Sequence, residues 1–290
     1  MVYGHIRRPA TDRAIRRASF RLALPRLVSV RPKKRLGQHF LTDPNTIRRI
    51  AAAIDAPVGA PVVEIGPGEG ALTAALLPRY PQLVALEVDP EAIGHLRKRF
   101  PQLDVRAGDV LDLDWNELAG EFGGRQPDGA GLYVIGNLPY YITSPILFSL
   151  LAARDSIDRV VVMIQREVAD RIVAKPSTKA YGTLSVQLQR LARPRFLFPV
   201  SRHVFRPKPD VESAVIALDF ADVPPLGVDE EAFRTVVRTS FGKRRKMLRN
   251  TVRELADAWG GTLPDVYATR RPESLTPEAF VELTRALGSS

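Results

Sequence analysis

The chain has 290 residues, of which 45% are hydrophobic and 26% are charged, a composition typical of a soluble globular protein with one or two domains. No stretch approaches the ~18 consecutive apolar residues of a membrane span, so we expect no membrane partner. The absence of cysteine excludes disulfides, thiolate metal sites and a cysteine nucleophile. It also suits a reducing compartment, and we expect a cytoplasmic protein. The four histidines lie far apart without metal-ligand spacing, so we predict no metal.

The net charge of +10 belongs to the N-terminal end of the chain. Residues 1–36 hold eleven lysines and arginines and one acidic residue, whereas the rest of the chain carries no net charge. We interpret residues 1–30 as a basic, flexible arm. An amphipathic targeting segment and an upstream-extended reading frame are the alternatives. A polyanion could still bind the body of the protein through a local basic face.

A helix is predicted to open at Asp43, a candidate N-cap residue followed by a proline, and to continue through Ile54. The apolar residues 62–65 then predict a strand that leads into a glycine-rich turn, 66–70, and a second helix. Glycines in such a turn let the backbone approach a ligand and leave helix N–H groups pointing at it. Glu87, about 20 positions later, stands where a ribose hydroxyl pair would be bound.

The motif Asn137-Leu138-Pro139-Tyr140 follows the apolar run 132–136, which predicts a buried strand. It therefore lies where a strand of an α/β sheet brings side chains to a ligand crevice. The motif offers an amide donor and acceptor, a proline that fixes the chain direction, and an aromatic face. These groups suit a planar ring that carries an amine, although Asn and Pro are also ordinary turn residues.

Strands and helices alternate from residue 61 onward, which predicts an α/β fold with a mostly parallel sheet covered on both faces. Strands are predicted near 61–65, 83–87, 103–107, 132–136 and 159–164, and helices near 70–78, 90–99, 144–153 and 165–174. Residues 194–220 are predicted as two strands that finish the sheet in antiparallel fashion. A linker near 222 divides the chain into a larger domain, 31–221, and a small C-terminal helical domain, 222–290. The helices predicted there lie near 229–241, 243–258 and 276–287.

The run Glu64-Ile65-Gly66-Pro67-Gly68 differs from the dinucleotide-binding fingerprint and resembles the first motif of class I S-adenosylmethionine-dependent methyltransferases. The resemblance implies a Rossmann-like fold with a seven-stranded, mostly parallel sheet. Asn137-Leu138-Pro139-Tyr140 resembles the fourth motif of the amine-methylating members. Further motifs are KKRLGQHFL at 33–41, GD at 108–109, QREVADR at 165–171, KAYGTLSV at 179–186, FRPKPDVESAV at 205–215 and FGKRRKMLRN at 241–250. In this order they resemble the rRNA adenine N6-dimethyltransferases, and the last four point to the small-subunit branch.

The resemblance implies dimethylation of N6 on two adjacent adenosines in a hairpin loop near the 3′ end of 16S rRNA, late in small-subunit assembly. It implies that S-adenosylmethionine is the donor, that the partner is the immature small ribosomal subunit, and that the protein is a monomer. The implied donor contacts are His39, Leu41, Gly66, Glu87, Asp109 and Asn137. The implied catalytic motif is Asn137, Leu138, Pro139 and Tyr140. Two residues depart from the family pattern: His39 and Tyr141 stand where Asn is usual.

Five cations near the C-terminus are predicted to lie on one helix and to contact rRNA phosphates, with a solvated helix face as the alternative. These residues are Lys243, Arg244, Arg245, Lys246 and Arg249. Phosphate contacts of this kind would make binding strongly salt-dependent.

Four other functions remain to be weighed. The antibiotic-resistance branch methylates a large-subunit adenosine, but it usually carries Ile at the position of Leu138. A DNA adenine methyltransferase would be expected to carry Asp in place of Asn137, so we expect no DNA partner. The chain could also act chiefly as an assembly factor that binds immature small subunits, with methylation as a release step. A mitochondrial relative with a role in transcription would require residues 1–30 to be a transit peptide.

Overall fold

A computed structural model describes residues 30, 32–33, 36–124 and 131–288. The predicted basic arm at 1–30 lies outside the described residues, apart from Val30 at its end. In the described part of the chain, no helix is both long enough and apolar enough to cross a membrane.

Seven strands form one sheet at the centre of the fold, and two short strands pair separately. In chain order, the described strands are β1 (Phe40–Leu41), β2 (Val62–Ile65), β3 (Val84–Glu87), β4 (Asp104–Ala107), β5 (Leu132–Asn137), β6 (Ile157–Gln165), β7 (Arg193–Val200), β8 (Phe205–Arg206) and β9 (Ser213–Asp219). The order across the sheet is β4-β3-β2-β5-β6-β9-β7, and β1 pairs with β8. β2 to β6 run parallel, whereas β9 runs antiparallel to β6 and β7. The predicted seven-stranded, mostly parallel sheet is therefore confirmed.

The order of the strands determines where a ligand can bind. From β2 the chain builds outward through β3 and β4, and it then returns to place β5 on the other side of β2. In open α/β sheets, ligands bind outside the carboxyl ends of the strands at such a reversal. Ile65 pairs with Gly136 at this point. The glycine-rich turn after β2 and the Asn137 motif at the end of β5 therefore leave the sheet side by side.

Helices cover both faces of the sheet. The described helices are α1 (Pro44–Ala53), α2 (Ala71–Leu76), α3 (Pro90–Arg99), α4 (Trp115–Glu121), α5 (Thr143–Ala152), α6 (Arg166–Ile172), α7 (Thr183–Leu191), α8 (Glu230–Gly242), α9 (Arg253–Trp259), α10 (Asp265–Ala268) and α11 (Pro277–Ala286). Alternate residues of a strand point to opposite faces, so Val63 and Val62 belong to two different hydrophobic clusters. Asp43 caps α1 as predicted, accepting a hydrogen bond from Thr46 N at 2.7 Å.

The helix predicted at 243–258 is wrong. α8 ends at Gly242, and Lys243 leaves the helical conformation with φ −127° and ψ 61°. Helical structure resumes only in the short 3-10 helix Leu248–Asn250 and then in α9. Leu248 is fully buried, so the chain returns to the hydrophobic core directly after an exposed turn. The cations expected on one helix therefore lie on two short segments. Lys243, Arg244, Arg245 and Lys246 form the turn after α8, and Arg249 lies in the 3-10 helix.

Arg244 faces the protein rather than the solvent. Its guanidinium donates to Glu273 Oε2 at 2.8 Å, to Lys179 O at 2.8 Å and to Thr178 O at 3.0 Å. A guanidinium can make such forked contacts because it carries five N–H donors in one plane. Arg244 thus fastens the turn after α8 to the loop before α7.

The C-terminal helices pack against the body of the protein. Buried side chains of α8 and α11, such as Phe233 and Phe280, belong to the same hydrophobic cluster as the strands β5 and β6. The Tyr181 hydroxyl donates to Leu275 O at 2.9 Å across this region. The domain boundary near residue 222 stays a prediction, but the apolar core is continuous across it.

Arg244→Ala is expected to lower the free energy of unfolding by about 1–2 kcal/mol, because a carboxylate and two carbonyl groups lose a charged donor. Arg245 is exposed, so Arg245→Ala is the matched control and should leave stability unchanged. Urea denaturation followed by circular dichroism measures both variants. Equal midpoints for the two variants would contradict the structural role of Arg244.

Candidate active site

A cleft opens at the carboxyl ends of β2 and β5, where the strand order reverses. It encloses about 870 Å³ when the open space at its mouth is counted. Most of the residues expected from the sequence line it: His39, Gly66, Glu87, Asp109, Asn137, Leu138, Pro139 and Tyr140. Leu41 is not among the described residues of this lining. It is buried in β1 beside Phe205, and its contact with the donor stays a prediction.

The glycine-rich turn lies on the floor of the cleft. Gly66 and Gly68 have φ values of 62° and 56°, a region that residues with a side chain rarely adopt. A Cβ atom at Gly68 would also come within 2.7 Å of the Phe40 ring. Glycine therefore lets the turn bend sharply and lie directly beneath the segment that carries Phe40.

Glu87 is buried, and its carboxylate is held from several directions. Gly68 N donates to Oε2 at 3.0 Å, and Val88 N and Asp89 N donate to Oε1, each at 2.9 Å. These bonds use three of the roughly four acceptor positions of a carboxylate. One acceptor position remains, and Glu87 is among the residues that line the cleft. Glu87 is thus oriented to accept a hydrogen bond from a hydroxyl group of a ligand.

Asp109 lines the same cleft at the end of β4. Its Oδ1 atom accepts a hydrogen bond from Leu111 N at 3.0 Å, which fixes the turn after the strand. Glu87 and Asp109 therefore follow neighbouring parallel strands, as the sequence predicted. In the described ranges, no group of three or more His, Cys, Asp or Glu side chains could hold a metal ion.

Glu64 is a second acid, fully buried beneath the glycine-rich turn. Burial raises its pKa to about 7, because a carboxylate is costly in an apolar environment, and the nearby charge of Glu87 acts in the same direction. The hydroxyl of Thr73 donates to Glu64 Oε2 at 2.6 Å and partly opposes the shift. This bond ties β2 to the first turn of α2, on either side of the glycines.

One wall of the cleft is formed by residues 36–40, which precede α1 and lie between the side lined by Glu87 and the motif that begins at Asn137. Lys33 Nζ contacts Asp89 Oδ1 at 2.5 Å, and Gln38 Nε2 donates to Asp89 Oδ2 at 3.1 Å. Burial alone would raise the pKa of Asp89, but the bonds from Lys33 and Gln38 outweigh it and lower the pKa. At its other end the segment pairs through β1 with β8.

Asn137 is the point where this wall meets the catalytic motif. Its Nδ2 atom donates to His39 O at 2.9 Å. This contact determines which way the amide faces, because only its NH₂ group can donate to a carbonyl. The acceptor, Oδ1, has no hydrogen-bond partner among the described residues, and Asn137 lines the cleft. The sequence departure at position 39 does not affect this bond, since His39 takes part through its backbone.

Tyr140 is held by two residues that are distant in the sequence, Ser213 at the start of β9 and His39 before β1. Its hydroxyl shares a hydrogen bond with Ser213 Oγ at 2.7 Å, and burial raises its pKa. Its ring lies against the His39 ring, with 5.8 Å between centroids and 26° between planes. His39 Nδ1 in turn donates to Pro207 O at 2.8 Å. The ring of Tyr140 is therefore rigidly placed at the inner end of the cleft.

Sequence reasoning missed the supports of the site. Ser213, Pro207 and Asp89 are not among the predicted site residues, yet each forms a hydrogen bond with a residue that lines the cleft. Ser213 and Pro207 belong to the motif at 205–215, which in the sequence indicates the family but no particular contact. Contacts across 51 residues or more carry no signal in spacing, so the fold is needed to reveal them.

Comparison with known proteins identifies the family. A profile described as ribosomal RNA adenine dimethylase matches residues 30–259. The chain belongs to this family. A relative named Ribosomal RNA small subunit methyltransferase A, from Salinibacter ruber, is 46% identical over 90% of this chain and 86% of its own length. A relative of the same name from Prosthecochloris aestuarii is 43% identical, over 86% of this chain and 91% of its own length.

Solved structures share the fold. A dimethyladenosine transferase from Plasmodium falciparum superposes with a TM-score of 0.68 at 22% identity, covering 84% of this chain and 96% of the other. The 23S rRNA methyltransferase ErmE superposes with a TM-score of 0.61 at 27% identity, covering 86% and 99%. The expectations for fold, enzyme class and methyl donor are confirmed: the chain is an S-adenosylmethionine-dependent rRNA adenine dimethyltransferase. The glycine cradle and the oriented Glu87 carboxylate fit such a donor, while the roles of single residues stay predictions.

Glu87→Ala is expected to weaken binding of S-adenosylmethionine by about tenfold or more, because a hydrogen bond to a charged group contributes ~1.5–3 kcal/mol. Calorimetric titration of the full chain measures the affinity. Glu254→Ala removes an exposed acid of α9 and serves as the control. Unchanged affinity in the Glu87 variant would contradict the proposed contact.

Glu64 should make stability depend on pH. Its pKa rises from 4.5 to about 7 on folding, so the folded state binds the proton more tightly between these values. The free energy of unfolding should therefore fall as pH rises from about 4.5 to 7, by up to ~3 kcal/mol. Glu64→Gln keeps an acceptor for Thr73 and should lose this dependence. Parallel stability curves for wild type and variant between pH 5 and 8 would refute it.

Proposed function

We propose that this chain dimethylates N6 of two adjacent adenosines in a hairpin loop near the 3′ end of small-subunit rRNA. Its substrate is the immature small ribosomal subunit in the cytoplasm. The observation that carries the reaction type is the orientation of Asn137, whose NH₂ group is bound by His39 O while Oδ1 remains for a ligand. The glycine-rich turn and Glu87 line the same cleft, so a methyl donor there would lie next to the acceptor.

The exocyclic amine of adenine is a poor nucleophile because its lone pair is delocalised into the ring. It needs orientation more than it needs a strong base. Asn137 Oδ1 and the carbonyl of Leu138 can accept its two N–H bonds, which favours a tetrahedral nitrogen with its lone pair directed at the donor. Orientation of this kind can lower a barrier by up to ~7–11 kcal/mol in the best cases.

The donor supplies an electrophilic methyl group on a positively charged sulfur. As the bond from N6 to the methyl carbon forms, the carbon–sulfur bond breaks, and S-adenosylhomocysteine is the second product. The amine then loses its proton to water. After the first transfer the amine has a single N–H, so Asn137 and Leu138 must hold it by one hydrogen bond while the lone pair is again presented.

The target base has to be unpaired or flipped, since pairing buries the amine. Tyr140 offers a ring for stacking, a contact that contributes ~1–3 kcal/mol per base. Its hydroxyl bond to Ser213 holds the ring in place without help from a ligand. The His39 ring already lies against Tyr140, so a base must stack on the remaining face of Tyr140 or move His39 aside.

Identity of 46% and 43% to two relatives named for the small subunit supports that substrate. The alternative is a large-subunit adenosine, favoured by the likeness to the 23S rRNA methyltransferase ErmE at 27% identity. A role in assembly is compatible with either reaction, because an enzyme that recognises an immature subunit also binds it.

The basic turn after α8 is proposed to contact rRNA phosphates. Its exposed cations are Lys243, Arg245, Lys246 and Arg249. Arg244 is excluded from this set, because its guanidinium is bound within the protein. We further propose that the enzyme acts as a monomer.

The function is tested by incubating unmethylated small subunits with labelled S-adenosylmethionine and mapping N6,N6-dimethyladenosine in the rRNA. Asn137→Ala should abolish transfer, because the amine loses its main acceptor, while donor binding remains measurable by calorimetry. Label at the two adjacent adenosines is the expected result for the wild-type chain. Label on large subunits, or wild-type rates in the variant, would overturn the proposal.

A further inference from the structure

Tyr141 lines the cleft but has no part in the mechanism above. It follows Tyr140 in the short 3-10 helix Tyr140–Ile142 and is 59% exposed. We propose that Tyr141 is a stacking platform for one adenosine of the substrate pair while the other occupies the catalytic pocket. This inference rests on the proposed function, because it requires two adjacent target bases.

The position of the Tyr141 ring is defined by its seat, the contact with Gly37. One edge lies against Gly37, where a Cβ atom would come within 3.3 Å of Cδ1 and 3.5 Å of Cε1. Gly37 also has a φ of 58°, which disfavours any residue with a side chain. The seat therefore depends on glycine. An aromatic ring that is already placed loses little conformational entropy when a ligand binds.

The two consecutive tyrosines lie in different environments, which indicates different roles. Tyr140 is fixed inward by Ser213, whereas Tyr141 stays accessible at the mouth of the same cleft. When one base of an adjacent pair enters a pocket, its neighbour loses a stacking partner. A ring at the mouth can take that partner's place, because every base presents a π face. Successive bases would then contact successive rings.

Stacking also suits a substrate that changes during the reaction. Each adenosine of the pair is the neighbour of the other, before and after its own dimethylation. A site that read the N6 group of the neighbour by hydrogen bonds would lose them once that base was methylated. A flat ring tolerates both forms, so the occupant of the platform is adenine or N6,N6-dimethyladenine.

Two variants separate this role from packing. Tyr141→Phe keeps the ring, whereas Tyr141→Leu keeps apolar bulk without it. Val266→Ala removes another exposed apolar side chain, 66% exposed and outside the cleft lining, and serves as the control. Steady-state methylation of unmethylated small subunits gives KM and kcat. We expect the Leu variant to raise KM about fivefold or more, as loss of one stacked base implies, with the Phe and Val266 variants unchanged.

A direct probe is 2-aminopurine in place of one adenosine of the pair in reconstituted small subunits. Binding of the wild-type chain with S-adenosylhomocysteine should quench its fluorescence, the Phe variant should quench it equally, and the Leu variant should not. Equal quenching and KM in the Leu variant would overturn the platform. So would an equal loss of S-adenosylhomocysteine affinity in that variant, because the ring would then act only by supporting residues 36–40.

The same assay distinguishes failure of the platform from failure of the proposed function. If the wild-type chain methylates small subunits and the Leu variant behaves like it, only the role of Tyr141 is wrong. If the wild-type chain leaves small subunits unlabelled, the proposed substrate is wrong and the platform proposal falls with it.

Discussion

Strands β2 and β5 run side by side in close contact at their carboxyl ends, and Gly136 makes this possible. A Cβ atom at Gly136 would lie 2.7 Å from Ile65 O, closer than such atoms approach in proteins. With glycine there, Ile65 and Gly136 pair in register, and the chain leaves both strands at one place. The glycine-rich turn and Asn137, which are proposed to hold the donor and to orient the acceptor, are neighbours for this reason.

The sequence predicted the sheet well because its strands are short, apolar and separated by clear turn residues. It predicted the line of acids after β3 and β4 because the carboxyl ends of parallel strands meet at one edge. It failed where tertiary contacts decide. The charged run after α8 looks helical by composition, yet Leu248 and the bonds of Arg244 break it into turns. Neither effect is visible in local pattern.

The supports of the site were beyond reach for a related reason. Ser213 holds Tyr140 and Pro207 holds His39, although each pair is separated by many elements of structure. The spacing of residues along the sequence identifies side chains that act together within one turn or loop. It cannot identify partners that meet only when β9 is inserted between β6 and β7. Of the two residues that depart from the family pattern, His39 contacts Pro207 at this junction, and Tyr141 follows Tyr140, which Ser213 holds.

Lys33 and residues 36–41 contact both sides of the cleft, where the donor and the acceptor are proposed to bind. Lys33 and Gln38 grip Asp89, while the carbonyl of His39 holds Asn137. If binding of the donor changes the affinity for rRNA through these residues, binding of rRNA changes the affinity for the donor by the same factor, since coupling between two binding events is reciprocal. Binding of the donor and binding of rRNA would then be thermodynamically coupled. Exchange of S-adenosylhomocysteine for a new donor between successive transfers would change the affinity for the rRNA.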